Sequence, residues 1–246
     1  MTPLFKFLCD IYRDEPDVHR AIYDYLDSFV KGLPFLYTHR QWVEQNHWGM
    51  GDACFWGLWY FLLQQMPYNV SFLEIGVHKG AILSLVGMLQ ARANRDPQIV
   101  GITPLDGTGM TDQMSENYLE DIYHIHDHFN LKHPIIIKGL SQDSKVIESA
   151  VDLSPFDIIY IDGGHSFDEA KTDIENYAPM VRPGGYLVMD DASYYLHLPP
   201  AEIAPTLRYW PGLADVSLAV KVTLEHGNMP FKECFAVGHL RIWRKE

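Results

Sequence analysis

The chain has 246 residues, 47% apolar and 13% aromatic, which is enough to bury the core of one large domain and too apolar for a disordered polymer. Its 19 Lys and Arg against 32 Asp and Glu give a formal net charge of −13, which argues against nucleic acid or an anionic membrane as the main partner, since both require a basic footprint. The three cysteines, Cys9, Cys54 and Cys234, are odd in number, widely spaced and free of any Cys-x-x-Cys pair, so they read as free thiols in a reducing compartment.

The N-terminus lacks the basic-then-apolar pattern of a secretory signal. The most apolar run, Ala53 to Leu63, is shorter than the roughly 20 residues a membrane-spanning helix needs. It reads as a buried helix, and the protein as soluble and cytoplasmic. Thr2 to Val30 is helical in pattern, and Lys31 to Gln45 is broken by Gly32 and Pro34. Trp42 to Met66 carries four of the six tryptophans. Such a stripe usually packs a helix onto a sheet, although a lid over a pocket has the same signature. Trp48-Gly49-Met50-Gly51-Asp52 is a candidate pocket loop, because its glycines interrupt the helix just before the core begins. Residues 1–66 are therefore expected to form an N-terminal helical appendage or lid, and residues 67–246 the main domain.

From Val70 the pattern alternates: strand Val70 to Ile75, helix Gly80 to Ala91, strand Ile99 to Thr103, helix Asn117 to Phe129, strand Pro134 to Lys138, helix Ser144 to Val151. Two apolar runs follow, Asp157 to Ile161 and Tyr186 to Met189, each ending in acid: Asp162 after the first, Asp190 and Asp191 after the second. Between them Ser166 and Glu169 fit a capping box, apolar residues recur at helical period, and Arg182-Pro183-Gly184-Gly185 ends the helix and turns the chain. A right-handed crossover makes these two strands parallel and delivers Asp162, His165, Asp190 and Asp191 to one sheet edge. After a helix at Ala201 to Arg208, Val216 to Leu224 and Phe235 to Trp243 read as an antiparallel pair turned at His226-Gly227-Asn228. The expected fold is a doubly wound, mostly parallel seven-stranded Rossmann-like α/β sheet with that antiparallel pair at its end.

The first strand runs into Glu74-Ile75-Gly76-Val77-His78-Lys79-Gly80. The G-x-x-x-G spacing matches neither the dinucleotide fingerprint nor a phosphate-binding P-loop, and an acid at the strand tip suits a cationic or hydroxyl-rich ligand. With these residues the chain resembles the class I S-adenosylmethionine-dependent methyltransferases. Ile161-Asp162-Gly163-Gly164-His165, Arg182-Pro183-Gly184-Gly185 and Met189-Asp190-Asp191 are similar to the branch of metal-dependent O-methyltransferases that act on sugars and other natural products. The resemblance implies a cofactor site shaped by Glu74, Gly76 and Gly80, with Ser141 and Asp143 near the adenine and Asp162 facing both cofactor and metal. Thr103 stands where family members usually have an acid for the ribose, which leaves the next acid, Asp106, or another contact to hold it.

Methyl transfer to a hydroxyl needs the acceptor proton removed. Asp162, Asp190 and Asp191 suit Mg²⁺, which takes oxygen ligands and lowers a bound hydroxyl's pKa, and His165 is placed to act as base. Both final aspartates can face one ion only if the pleat ends by Asp190. His124, His126 and His128 form a rival metal motif, but only two of the three share a helix face, so a solvated face is expected there. The acceptor is read as a small-molecule hydroxyl, with walls from the Trp42 to Tyr60 region and from Asp191 to Pro200, including Tyr194, Tyr195 and His197. Homo-oligomerisation is left open. Two other classes remain: a metal-dependent phosphoester hydrolase, disfavoured by the scarcity of nearby basic residues, and a non-catalytic S-adenosylmethionine-binding protein.

Overall fold

A computed structural model describes residues 1–49, 51–66, 68–105, 118–192, 210 and 212–246. Four helices come first: α1 (Pro3–Ile11), α2 (Pro16–Lys31), α3 (Pro34–Gln45) and α4 (Ala53–Leu63). The stretch expected to be helical, Thr2 to Val30, is so as two helices, because Pro16 disfavours a helical Glu15, which is extended (φ −129°, ψ 145°), and restarts the helix. The alternating part comprises β1 (Ser71–Ile75), α5 (Ala81–Arg92), β2 (Gln98–Thr103), α6 (Tyr118–His128), β3 (Ile135–Lys138), α7 (Ser144–Leu153), β4 (Phe156–Ile161), α8 (Phe167–Tyr177) and β5 (Val181–Met189). The capping box at Ser166 and Glu169 is formed. Arg182 to Gly185 does not precede the strand as expected but interrupts it. Val181 already pairs with Phe156, pairing resumes at Tyr186 with Ile158, and Gly184 takes φ +80° in the excursion.

The seven-stranded sheet has the order β3-β2-β1-β4-β5-β7-β6. β1 to β5 are parallel; β7 (Leu240–Lys245) runs antiparallel to both β5 and β6 (Phe231–Val237). The antiparallel pair exists, but its first strand is not Val216 to Leu224. That segment forms α9 (Ala214–Val220) and a π-helical turn through Glu225, and the two strands are joined by Gly238-His239. Val216, Val220 and Leu224 are buried at a spacing of four, as on one helix face, and Gly238 at φ +60° supplies the tight turn that the strand reading ran through. The expected helix at Ala201 to Arg208 lies outside the described residues.

The central strands β1, β4 and β5 carry mostly apolar side chains because both faces of the sheet are covered there. Phe72, Ile158, Tyr160, Tyr186 and Val188 share one core with α1, α2, α4 and α5; Leu73, Ile159, Ile161, Leu187 and Met189 share another with α7, α8 and α9. Of the α4 tryptophans, Trp59 packs on the sheet, edge-on to Phe72 and Tyr160 with centroids 5.7 and 5.1 Å away, and Trp56 meets His39 of α3, its indole donating to Nδ1 at 2.9 Å. Among the described residues no helix is long and apolar enough to cross a membrane.

A buried polar network ties the N-terminal helices to the C-terminal hairpin. Arg241 of β7, fully buried, ion-pairs with Glu233 of β6, donates to Asp14 Oδ1 at 2.8 Å and to the Tyr12 hydroxyl at 3.1 Å, and Asp14 also meets His19 Nε2 at 3.0 Å. Burial opposes charge on Asp14, but His19 and Arg241 outweigh it and hold its carboxyl down at about 2. Replacing Arg241 by Met removes the guanidinium partner of two partly buried carboxylates, leaving Asp14 only His19, and should cost about 3 kcal/mol in urea unfolding. A loss below about 1 kcal/mol, the usual worth of a single hydrogen bond, would show that the network does not bind the two ends together.

Candidate active site

The strand order reverses between β1 and β4, and α/β sheets open their ligand crevice at such a point. The strand tips are laced by backbone: Asp162 N–H donates to Ile75 O at 2.8 Å and Asp190 N–H to Ile161 O at 3.0 Å. Glu74, Tyr160, Asp162 and Asp190 fall on the same sheet face, the one covered by α4, because side chains alternate along a strand and Glu74 is in register with Tyr160.

Tyr160, 3% exposed, donates from its hydroxyl to Asp190 Oδ2 and also lies 3.2 Å from Asp162 Oδ2. Asp190 Oδ1 accepts from Asp191 N–H at 2.8 Å and meets His239 Nε2 at 3.2 Å. β5 ends at Met189, and Asp191 adopts φ +52°, so the pleat has stopped before the second aspartate. Asp191 Oδ2 is 3.2 Å from His165 Nε2, and its Oδ1 accepts from the Trp210 indole at 3.0 Å.

The expected metal ligands come together in two overlapping groups. Asp162, His165 and Asp191 bring ligand atoms within 4.8 Å of one another, as do Asp190, Asp191 and His239. Among the described residues the three aspartates do not make one such group by themselves, since Asp190 is turned toward Tyr160 and His239.

Crowding these acids sets their titration. Burial, and then the charge of Asp190, pushes Glu74 up to about 8; its Oε2 is buried without a hydrogen-bond partner. Burial followed by Asp190 and Asp191 raises Asp162 well above the usual carboxylate range, and burial followed by Asp190 raises Asp191. Burial alone would raise Asp190 too, but His239 and Tyr160 hold it below its ordinary value. Burial alone would lower His239, and Asp190 reverses that. Asp190 with His239 is therefore an internal ion pair, and Glu74, Asp162 and Asp191 form an acidic cluster that a cation would stabilise.

Of the other expected cofactor residues, Gly76 takes φ +91° and passes so close to β4 that a Cβ would stand 1.8 Å from the Asp162 carbonyl oxygen. Gly80 begins α5 at φ +80°. Thr103 is buried at the tip of β2, its hydroxyl accepting from Leu105 N–H at 3.3 Å. Ser141 and Asp143 lie at the start of α7. Tyr177 donates to the Ser141 carbonyl at 2.7 Å, and Asp143 accepts from Leu140 N–H at 3.3 Å. Buried Asp173, raised to about 6 first by its burial, accepts from Gln142 at 2.8 Å and stands under Gly163, which links this loop to the Asp162 turn. Asp106, Met50, Tyr194, Tyr195 and His197 lie outside the described residues.

Sequence reasoning missed Tyr160, His239 and Trp210. Tyr160 was legible, two residues before Asp162 on a strand. His239 was hidden because the turn that carries it was read as mid-strand. Trp48 does reach the glycine turn: the Lys79 ammonium sits 5.0 Å over its ring, and its indole donates to Asp121 O at 3.3 Å. His124 and His128 are exposed, as expected for a solvated face, with tryptophans laid against them. Trp42 stacks on His128 at 4.6 Å, Trp48 lies 5.5 Å from His124, and His126 is buried.

Residues 73–192 match the family described as a methyltransferase domain. An uncharacterised protein of Acanthamoeba polyphaga mimivirus is 32% identical over 129 residues, which are 52% of this chain and 53% of that protein, so the chain matches about half the length of this relative. The fold is that of an O-methyltransferase from Bacillus cereus solved with S-adenosylhomocysteine (TM-score 0.59, 16% identity, covering 90% of this chain and 97% of that one). It is also that of CalS11, a TDP-rhamnose 3′-O-methyltransferase of calicheamicin biosynthesis (TM-score 0.56, 13% identity, covering 94% and 96%). Strand order, the acidic switch point and the matched segment agree: residues 73–192 are similar to a methyltransferase domain, on a sheet with the fold of these two O-methyltransferases.

Proposed function

We propose that the protein transfers a methyl group from S-adenosylmethionine to a hydroxyl of a small molecule, a sugar moiety or other secondary metabolite, with help from a divalent cation. The observation that carries this is the gathering of Glu74, Asp162 and Asp191, all raised above their ordinary values, at the switch point of a methyltransferase domain. A sulfonium donor and a metal ion are both cations, and such a cluster favours both. The buried, unpartnered Glu74 Oε2 and the close backbone at Gly76 fit the donor's charged end, and the carboxylate oxygens of Asp162 and Asp191 fit a divalent metal, with His165 beside them.

Bound there, S-adenosylmethionine supplies an electrophilic methyl group and the metal a Lewis acid that lowers the pKa of an acceptor hydroxyl. This chain's residues do the rest. Asp191 accepts from His165 Nε2–H, which leaves Nδ1 to take the acceptor's proton as the oxygen–methyl bond forms and the sulfur–methyl bond breaks. His239 and Tyr160 anchor Asp190 and so keep the Asp190-Asp191 turn in place. A sugar hydroxyl is the acceptor class of the TDP-rhamnose enzyme that shares this fold. Thr103 is read as lying at the ribose, with Ser141 and Asp143 near the adenine.

Turnover on a panel of glycosides and phenols should require S-adenosylmethionine, fall on adding EDTA and return with Mg²⁺ or Mn²⁺; full activity in EDTA would remove the metal from the mechanism. His165→Ala should lower kcat by roughly 10²–10⁴-fold with little change in cofactor affinity, and unchanged turnover would remove His165 as base.

Glu74 supplies a pH signature. Its folded value near 8 lies above its ordinary 4.5, so between those limits the folded protein holds a proton that the unfolded chain has lost, and stability falls as pH rises through that window. A cationic ligand beside Glu74 lowers its pKa. Calorimetry at about pH 7 with chelator present, in buffers of different ionisation enthalpy, should therefore show S-adenosylmethionine binding releasing a proton, a release lost in Glu74→Gln. Identical heats in both buffers would contradict the role given to Glu74.

A further inference from the structure

Two of the three cysteines, far apart in sequence, meet in the fold. Phe5 and Cys9 lie one turn apart on α1 and so share a face. Phe5 packs edge-on against Phe235 (5.4 Å) and Tyr186 (5.8 Å), so Cys9, one turn on, lies along the same strand region as Cys234, and both pack against one core. The β6–β7 ladder skips that residue: Glu233 pairs with Trp243 and Phe235 with Ile242, so Cys234 sits at a bulge free of the strand alternation. The two thiols lie close enough to shift one another's titration, and both side chains are half-buried against the same core. Cys54 is fully buried inside α4.

We propose that Cys9 and Cys234 form a reversible disulfide that staples the N-terminal helix α1 to the C-terminal hairpin. The neighbouring Cys234 thiol holds the Cys9 thiol below its ordinary value against the opposing effect of burial, and Lys6 adds to this, which marks Cys9 as the attacking sulfur. With a small-molecule disulfide such as glutathione disulfide as oxidant, the Cys9 thiolate displaces one glutathione thiol and forms a mixed disulfide. Cys234 then attacks the Cys9 sulfur and expels the second. The two electrons pass to the oxidant, and the two protein thiol protons leave with the two glutathione molecules or the solvent. The link joins the two ends that the Arg241 network already holds together. It closes nearly the whole chain into a loop, where a crosslink restricts the unfolded state most.

The test is to equilibrate the full-length protein with glutathione disulfide, and in parallel with dithiothreitol, then count thiols and map peptides by mass spectrometry. The oxidised protein should keep one free thiol of three, Cys54, lose two hydrogens in mass, and yield the Cys9 and Cys234 peptides joined. Its thermal midpoint should rise on the order of 5–10 °C over the reduced form. In Cys234→Ser, Cys9 should instead retain a glutathione adduct. Three free thiols after equilibration, or a lasting glutathione adduct on Cys9 of the unsubstituted protein, would overturn the proposal.

Discussion

The structure depends on how closely β1 and β4 approach at their carboxyl ends. Gly76 leaves its strand at φ +91° so near the Asp162 carbonyl that no side chain fits between them. The backbone bond from Asp162 to Ile75 and the next, from Asp190 to Ile161, extend the lacing across three strand tips. Because the strands to either side of this junction connect in opposite directions, no crossover helix covers it, and the acids at the tips open into a crevice. One glycine thus both allows the sheet to close and exposes its acidic edge.

Electrostatics give that edge its character. Four carboxylates at one place are unfavourable unless something compensates, and of these four only Asp190 is held below its ordinary value. His239, with Tyr160, pairs with Asp190, while burial and the neighbouring charges push Glu74, Asp162 and Asp191 upward. The protein bears a local cost that a cationic ligand removes, and binding energy is available there for that reason. The same arrangement explains the lone Oε2 of Glu74, a costly group in the interior unless a ligand completes it.

The two ends of the chain close the site together. The aromatic face of α4 covers the sheet, Phe55 stands edge-on to His239 at 5.0 Å, and His239 rides on the hairpin whose Arg241 is anchored by Asp14 and Tyr12 from the N-terminal helices. A disturbance of the α1–α2 turn therefore has a short physical route, through β7, to the His239–Asp190 pair.

The sequence by itself determined the α/β alternation, the acids at the ends of β4 and β5, and the glycine turn after β1. Each is a local pattern: unbroken apolar runs for strands buried on both faces, a capping box for α8, and a spacing that excludes the dinucleotide and phosphate loops. It also carried Tyr160, readable from the two-residue period alone. Only the tertiary structure decided the rest. Val216 to Leu224 fits both a strand and a helix by composition, and packing beside α8 selected the helix. That choice moved the hairpin turn to Gly238-His239 and brought a histidine to Asp190 from 49 residues away. Cys9 and Cys234 met through the packing of Phe5 on Phe235, and Arg241 found its acids on two separate elements. Contacts between distant segments leave no periodic trace along a single chain, because either partner alone looks like an ordinary strand, turn or helix residue.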